Sequence, residues 1–175
     1  VSGPNCRLLR GISSGGFKTR HYLLVLNAQI SSVLKALDEY SSFIILGHED
    51  PDADCLGSQR VLGSWLGRRG KGVMLCSPGR WERPEIKAWE SLFYSEFPGP
   101  EVPGFTPEEG TLAVILDCSS SLRTGYSHDR IILFPTLVID HHASGSPFGD
   151  IRYIDPESPS TTLLIPNIIE ASGDT

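Results

Sequence analysis

The chain has 175 residues, the size of one domain at about 150 residues each, and its 39% hydrophobic and 21% charged content is that of a globular chain, not a disordered one. Fifteen basic against 21 acidic side chains leave a net charge of −6, which excludes a protein that holds nucleic acid by bulk charge. The longest apolar run, residues 131–139, already contains Pro135 and Thr136 and falls well short of the ~18 residues of a membrane span.

Residues 1–37 carry five basic side chains and no acid, net +5, against −11 for the remainder. With Ser13-Ser14-Gly15-Gly16 this reads as a disordered leader over residues 1–26, ahead of a domain over 27–175. The four cysteines, at 6, 55, 76 and 118, form neither a C-x-x-C pair nor a dense ladder. That argues against a secreted disulfide framework and for a reducing, cytoplasmic setting.

Ile30, Val33, Leu34 and Leu37 fall on one face of a helix that Asn27 can cap. Phe43-Ile44-Ile45-Leu46 reads as a buried strand running into the acidic loop 47–54. Helical spacing returns at Val61, Leu62, Trp65 and Leu66, and Val73-Met74-Leu75-Cys76 is a second strand. Pro84 opens a helix with Ile86, Trp89 and Phe93 on one face, and residues 97–110, rich in proline and glycine, form a loop. Leu112 to Leu116 and Leu137 to Ile139 are further strands, delivering Asp117 and Asp140-His141-His142 at their ends. Continuous apolar strands separated by helices predict an α/β fold, a largely parallel sheet flanked by helices. Such sheets bind ligands outside the carboxyl ends of their strands.

Those ends hold the chemistry. One supplies His48, Asp52 and Asp54, the next Asp117, the next Asp140, His141 and His142, and a short segment over 152–154 supplies Asp155. Five carboxylates and several imidazoles at one sheet edge repel one another unless cations compensate them. Hard oxygens with a few imidazoles suit Mg²⁺ or Mn²⁺. In an extended loop residues two apart point the same way, so Asp52 and Asp54 can face one pocket.

Gly47-His48-Glu49-Asp50-Pro51-Asp52-Ala53-Asp54-Cys55-Leu56-Gly57-Ser58 resembles the first motif of the DHH phosphoesterases. Asp117-Cys118-Ser119 with Arg123 and Gly125 resembles the second, Ile139-Asp140-His141-His142 the third, and Phe148-Gly149-Asp150, Asp155-Pro156 and Ser160-Thr161 the fourth. Four ordered motifs are far more specific than one tripeptide. The resemblance covers residues 28–165 and implies a metal-dependent phosphoesterase acting on short oligonucleotides or small nucleotides through a water activated by two cations.

It implies His48 and Asp52 as ligands of one ion, Asp54, His141 and Asp155 of the second, and Asp117 as the bridge. It also implies His142 as the contact to the substrate phosphate, with Asp140 orienting His141 from behind. The expected cofactors are two divalent cations, Mn²⁺ in preference to Mg²⁺. Their charge, up to +4, answers the net −6. The expected partners are the oligonucleotide or nucleotide substrate and no membrane, with a homodimer left open.

Two departures stand out. Pro166 is expected to break or kink the last helix, and the chain ends at Thr175, before the second, substrate-binding domain of the family, so the domain reads as truncated. The alternative function is therefore an idle fragment that binds metal or nucleotide without turnover.

Ser119-Ser120-Ser121 lacks a nucleophile elbow, and Gly63, Gly67 and Gly70 lack the order of a P-loop. Cys55 and Cys118 read as small buried thiols, Trp65 and Trp89 as core, and Glu49 and Asp50 as solvated loop acids. His21 and His128 receive no role. Arg68, Arg69, Lys71, Arg80 and Arg83 read as solvated surface, with a nucleotide-backbone track as the alternative.

Overall fold

Five parallel strands in the order β2-β1-β3-β4-β5 make a single sheet: β1 (Ser42–Leu46), β2 (Gly72–Cys76), β3 (Thr111–Leu116), β4 (Thr136–Asp140) and β5 (Ile151–Ile154). They belong to a computed structural model that describes residues 17–98, 110–145 and 148–174. The helices are α1 (Phe17–Glu39), α2 (Ala53–Arg68), α3 (Pro84–Lys87), α4 (His128–Ile131) and α5 (Thr161–Ala171). The expected α/β architecture is present, and the segment before Asp155 proves to be a fifth strand. Among the described residues no helix is long and apolar enough to cross a membrane.

The strands are apolar on both faces because both faces are covered. Phe43 and Ile45 join Val33 and Leu37 of α1, Leu62, Trp65 and Leu66 of α2, and Leu164, Ile165 and Ile168 of α5 in one core. Ile44 and Leu46 point the other way, into a second core with Met74, Cys76, Phe97, Ile115, Cys118 and Ile131.

Four local expectations need correction. The first helix begins at Phe17, ten residues before the expected cap at Asn27, so residues 17–26 are helical where disorder was expected; residues 1–16 lie outside the described residues. Its inner face carries Tyr22 and Gln29, polar residues that blur the apolar period but reach the edge strand β5. Gln29 accepts from the Ile154 amide at 3.0 Å, and the Tyr22 hydroxyl donates to Asp155.

The second concerns α2, which starts at Ala53, so Asp52 and Asp54 do not lie in an extended loop. Asp52 is the N-cap, its side chain accepting from the Cys55 amide at 2.9 Å, and Asp54 stands in the first turn. Buried Ser58 and Gln59 hide the early turns from an apolar count.

The third is the helix expected from Pro84 to Phe93. It stops at Lys87, and a 3₁₀ turn over Glu90–Leu92 follows; Ile86 is buried but Trp89 is only half-buried. Of the loop expected over 97–110, residues 99–109 lie outside the described residues.

The fourth is Pro166, which does not end α5. Ser160 caps the helix by accepting from the Leu163 amide at 3.3 Å, and Leu164, Ile165 and Ile168 bury its inner face. A proline one turn in forfeits one backbone bond, and burial outweighs that loss.

Candidate metal centre

The chain leaves β1 towards β2 on one side and reaches β3 on the other, so a crevice opens where the two directions part. His48 follows β1 and Asp117 follows β3, each one or two residues past its strand. Gly47 lets the β1 end pass close to α2: a Cβ there would lie 2.2 Å from the Cys55 Sγ and 3.0 Å from the Leu116 carbonyl oxygen. Asp117 has φ +56°, the left-handed region, and its amide donates to Ile139 at 3.1 Å. Aspartate tolerates this conformation better than most residues, at a cost of about 1–3 kcal/mol.

These elements enclose a cavity of about 270 Å³ lined by His48, Asp50, Asp52, Asp54, Arg83, Asp117, Arg123, His141 and His142. Asp117 is central and 3% exposed. One of its oxygens, Oδ2, lies 3.5 Å from His48 Nε2; the other, Oδ1, lies 3.5 Å from His141 Nε2 and 3.7 Å from His142 Nδ1. His141 Nε2 is also 3.8 Å from Asp54 Oδ2. These separations are long for hydrogen bonds. Two atoms each about 2.1 Å from a common cation stand roughly 3–3.5 Å apart, close to the spacing found. The Nδ1 of His48 is buried without a hydrogen-bond partner. By its spacing and its chemistry the donor set fits divalent cations.

Supporting contacts fix the ligand atoms. Asp54 accepts from the amides of Thr161 and Thr162 at 2.9 and 2.7 Å, so the N-terminus of α5 holds its carboxylate. Thr161 Oγ1 donates to Asp117 Oδ1 at 3.0 Å. The His141 Nδ1 lies 3.2 Å from the Ser158 carbonyl oxygen, which leaves Nε2 for the cavity.

Asp140 does not orient His141 through its ring. Fully buried, it accepts from the amides of His141 and His142 at 2.7 and 3.2 Å, and its Oδ1 lies 2.8 Å from His142 Nδ1. The ring it orients is that of His142, because a side chain at a strand end reaches the residue two further on.

Asp155 stands apart. It is buried beyond β5, outside the cavity lining, and its Oδ1 accepts from the Tyr22 hydroxyl and, at 3.0 Å, from the Glu157 amide. Two arginines also line the cavity: Arg123, which belongs to the second motif, and Arg83, expected as solvated surface. Arg83 faces Asp50 at 3.1 Å, and Arg123 is placed by its carbonyl, which accepts from the Glu49 amide at 2.7 Å. Nothing in the spacing of Arg83 marked it; only the fold brings residues 80–83 back to β1. Cys55 lies with His48 and Asp117, but burial pushes its thiol well above the ordinary range, and burial takes that of Cys118 up to about 11. Both remain neutral packing groups.

The family model for the N-terminal domain of the DHH family matches residues 42–175. The chain is 30% identical over 156 residues to the cyclic-di-AMP phosphodiesterase GdpP of Bacillus subtilis, covering 81% of this chain and 23% of that protein. It is 29% identical over 146 residues to the bifunctional oligoribonuclease and PAP phosphatase NrnA of Thermus thermophilus, covering 82% of this chain and 40% of that one. The chain thus spans less than half of either relative. An exopolyphosphatase-related protein from Bacteroides fragilis shares the fold with TM-score 0.67 and 23% identity, over 84% of this chain and 44% of that one. An exonuclease RecJ structure bound to manganese shares it with TM-score 0.50 and 20% identity, over 86% and 38%.

Proposed function

We propose, because the chain belongs to the DHH family, that it carries the metal-binding part of a phosphoesterase acting on nucleotides or short oligonucleotides. One observation carries this reading: the Asp117 carboxylate lies between two imidazoles, with a different oxygen 3.5 Å from each. A carboxylate so placed can serve two cations at once. His48 and Asp52 then hold one and Asp54 and His141 the other. Asp155 completes the second set only by giving up the Tyr22 hydroxyl or by using its other oxygen. Imidazole among the donors favours Mn²⁺ over Mg²⁺. When bound, the cations lower the pKa of a coordinated water and neutralise phosphoryl oxygens.

The chain's own residues do the rest. Asp140 engages Nδ1 of His142 and so leaves Nε2 of that half-exposed ring to meet the substrate phosphate. Arg83 and Arg123 supply fixed positive charge to the same cavity, suited to phosphoryl oxygens that the ions do not reach. The names of the two curated relatives, both hydrolases of phosphorus esters of nucleotides, support the substrate class.

Calorimetric titration with Mn²⁺ near pH 7 tests the bridge. The wild type is expected to bind, and Asp117→Ala to weaken every site by tenfold or more, with hydrolysis of a nitrophenyl phosphodiester lost. Unchanged Mn²⁺ binding in that variant overturns the assignment.

A further inference from the structure

Beyond β5 the chain turns at once. The Ser158 amide donates to the Asp155 carbonyl at 3.1 Å and the Glu157 amide to Asp155 Oδ1 at 3.0 Å, so residues 155–158 form a tight turn with the aspartate side chain folded into it. This turn carries more of the metal centre than Asp155. Its Ser158 carbonyl holds His141 through Nδ1, and Ser158 Oγ donates to the Ser160 carbonyl at 2.9 Å. Thr161 comes next, with its amide on Asp54 and its hydroxyl on Asp117. The three donors assigned to the second ion, Asp54, His141 and Asp155, therefore all depend on where residues 155–161 lie. The Asp155 amide anchors the turn to the sheet by donating to the Asp140 carbonyl at 3.1 Å. A second anchor comes from α1.

We infer that Tyr22 of α1 is a positioning residue of the second ion's site: its hydroxyl ties down Oδ1 of Asp155, so that Oδ2 is the oxygen offered to the cation. This rests on the reading above and adds to it a residue from outside the four motifs. The Tyr22 hydroxyl and the Glu157 amide both occupy Oδ1, whereas among the described residues no hydrogen bond engages Oδ2. A carboxylate held by one oxygen presents the other in a fixed direction, and losing such a support costs roughly 10–100-fold in metal affinity. Asp155 is only 9% exposed, so solvent has little room to replace the lost donor. Gln29, two turns further along the same face of α1, accepts from the Ile154 amide at 3.0 Å. The helix thus clamps two adjacent residues at the end of β5, and of the two contacts only that of Tyr22 reaches a carboxylate.

The test is calorimetric titration of the full chain with Mn²⁺ near pH 7, beside thermal midpoints of the metal-free protein. Tyr22→Phe keeps the ring and removes the donor. It is expected to weaken the second Mn²⁺ event by about tenfold or more and to leave the first within about twofold. Asp155→Asn should weaken the same event, and adding Tyr22→Phe to it should cost nothing further. Gln29→Leu removes the other anchor of α1, so it should lower the metal-free midpoint and keep both Mn²⁺ events. A Tyr22→Phe chain that binds Mn²⁺ as the wild type does, whatever its midpoint, overturns the positioning role. Tighter binding of the second ion overturns it as well, because the hydroxyl would then compete with the cation. Equal loss of the second event in Gln29→Leu reduces Tyr22 to a clamp on the fold and overturns it too. An Asp155→Asn chain with both events intact, or a wild type that binds no Mn²⁺, strikes instead the ligand assignment on which the inference rests.

Discussion

His141 and His142 are adjacent, with ring centres 4.4 Å apart, yet different partners hold them. The Ser158 carbonyl fixes His141 so that Nε2 meets Asp117 and Asp54, whereas Asp140 fixes His142 through Nδ1. The two should separate on mutation. His142→Ala is expected to keep Mn²⁺ affinity within a fewfold of wild type and to lower phosphodiester hydrolysis by about 10²-fold or more, the scale of losing a positioned acid or charge stabiliser. His141→Ala should lose metal and activity together. Calorimetry beside a nitrophenyl phosphodiester assay reads both, and equal loss of metal in the two variants would make the tandem a plain ligand pair.

At the scale of elements, α1 and α5 do more than cover the sheet. The N-terminus of α5 presents the Thr161 and Thr162 amides to Asp54, and its Thr161 hydroxyl to Asp117, so one helix end sets two carboxylates. The long first helix places Tyr22 on Asp155, packs Leu26 on the core and satisfies the Ile154 amide through Gln29. Residues 17–26 therefore contribute to stability. Deleting residues 1–26 is expected to lower the thermal midpoint by at least about 2–4 °C, the effect of ~1 kcal/mol in a domain of this size. Differential scanning calorimetry checks this, and an unchanged midpoint would return those residues to the role of a leader.

Over the whole molecule, the same burial that makes the two cores sets a limit on alkaline stability. Cys76 lies at the end of β2 inside the second core, fully buried, and burial lifts its thiol from an ordinary value of 9.0 to about 12. The folded chain thus holds this proton more tightly than the unfolded one. Below about pH 9 both states keep it and the contribution is fully present. As pH rises from about 9 to 12 the unfolded chain loses its proton first, and stability falls. Denaturant midpoints at pH 8, 9 and 10 should decline in the wild type and decline less steeply in Cys76→Ala; parallel slopes would exclude this thiol as a source.

The amino-acid sequence by itself determined the strands β1 to β4, because runs such as Phe43 to Leu46 and Leu112 to Leu116 have no polar face and suit only a sheet covered on both sides. It determined the chemical type of the site too, since acids and histidines recur directly after those runs. Elements whose inner faces carry polar residues were not legible: Tyr22 and Gln29 in α1, and Ser58 and Gln59 in α2, are matched to partners on other elements, which periodicity does not record. Only tertiary structure decided which histidine Asp140 engages, that Tyr22 occupies Asp155, and that Arg83 and Arg123 share a cavity with the expected ligands. Those outcomes depend on distances between strand ends and helix termini far apart in the chain, and such distances are set by how the sheet is ordered and packed.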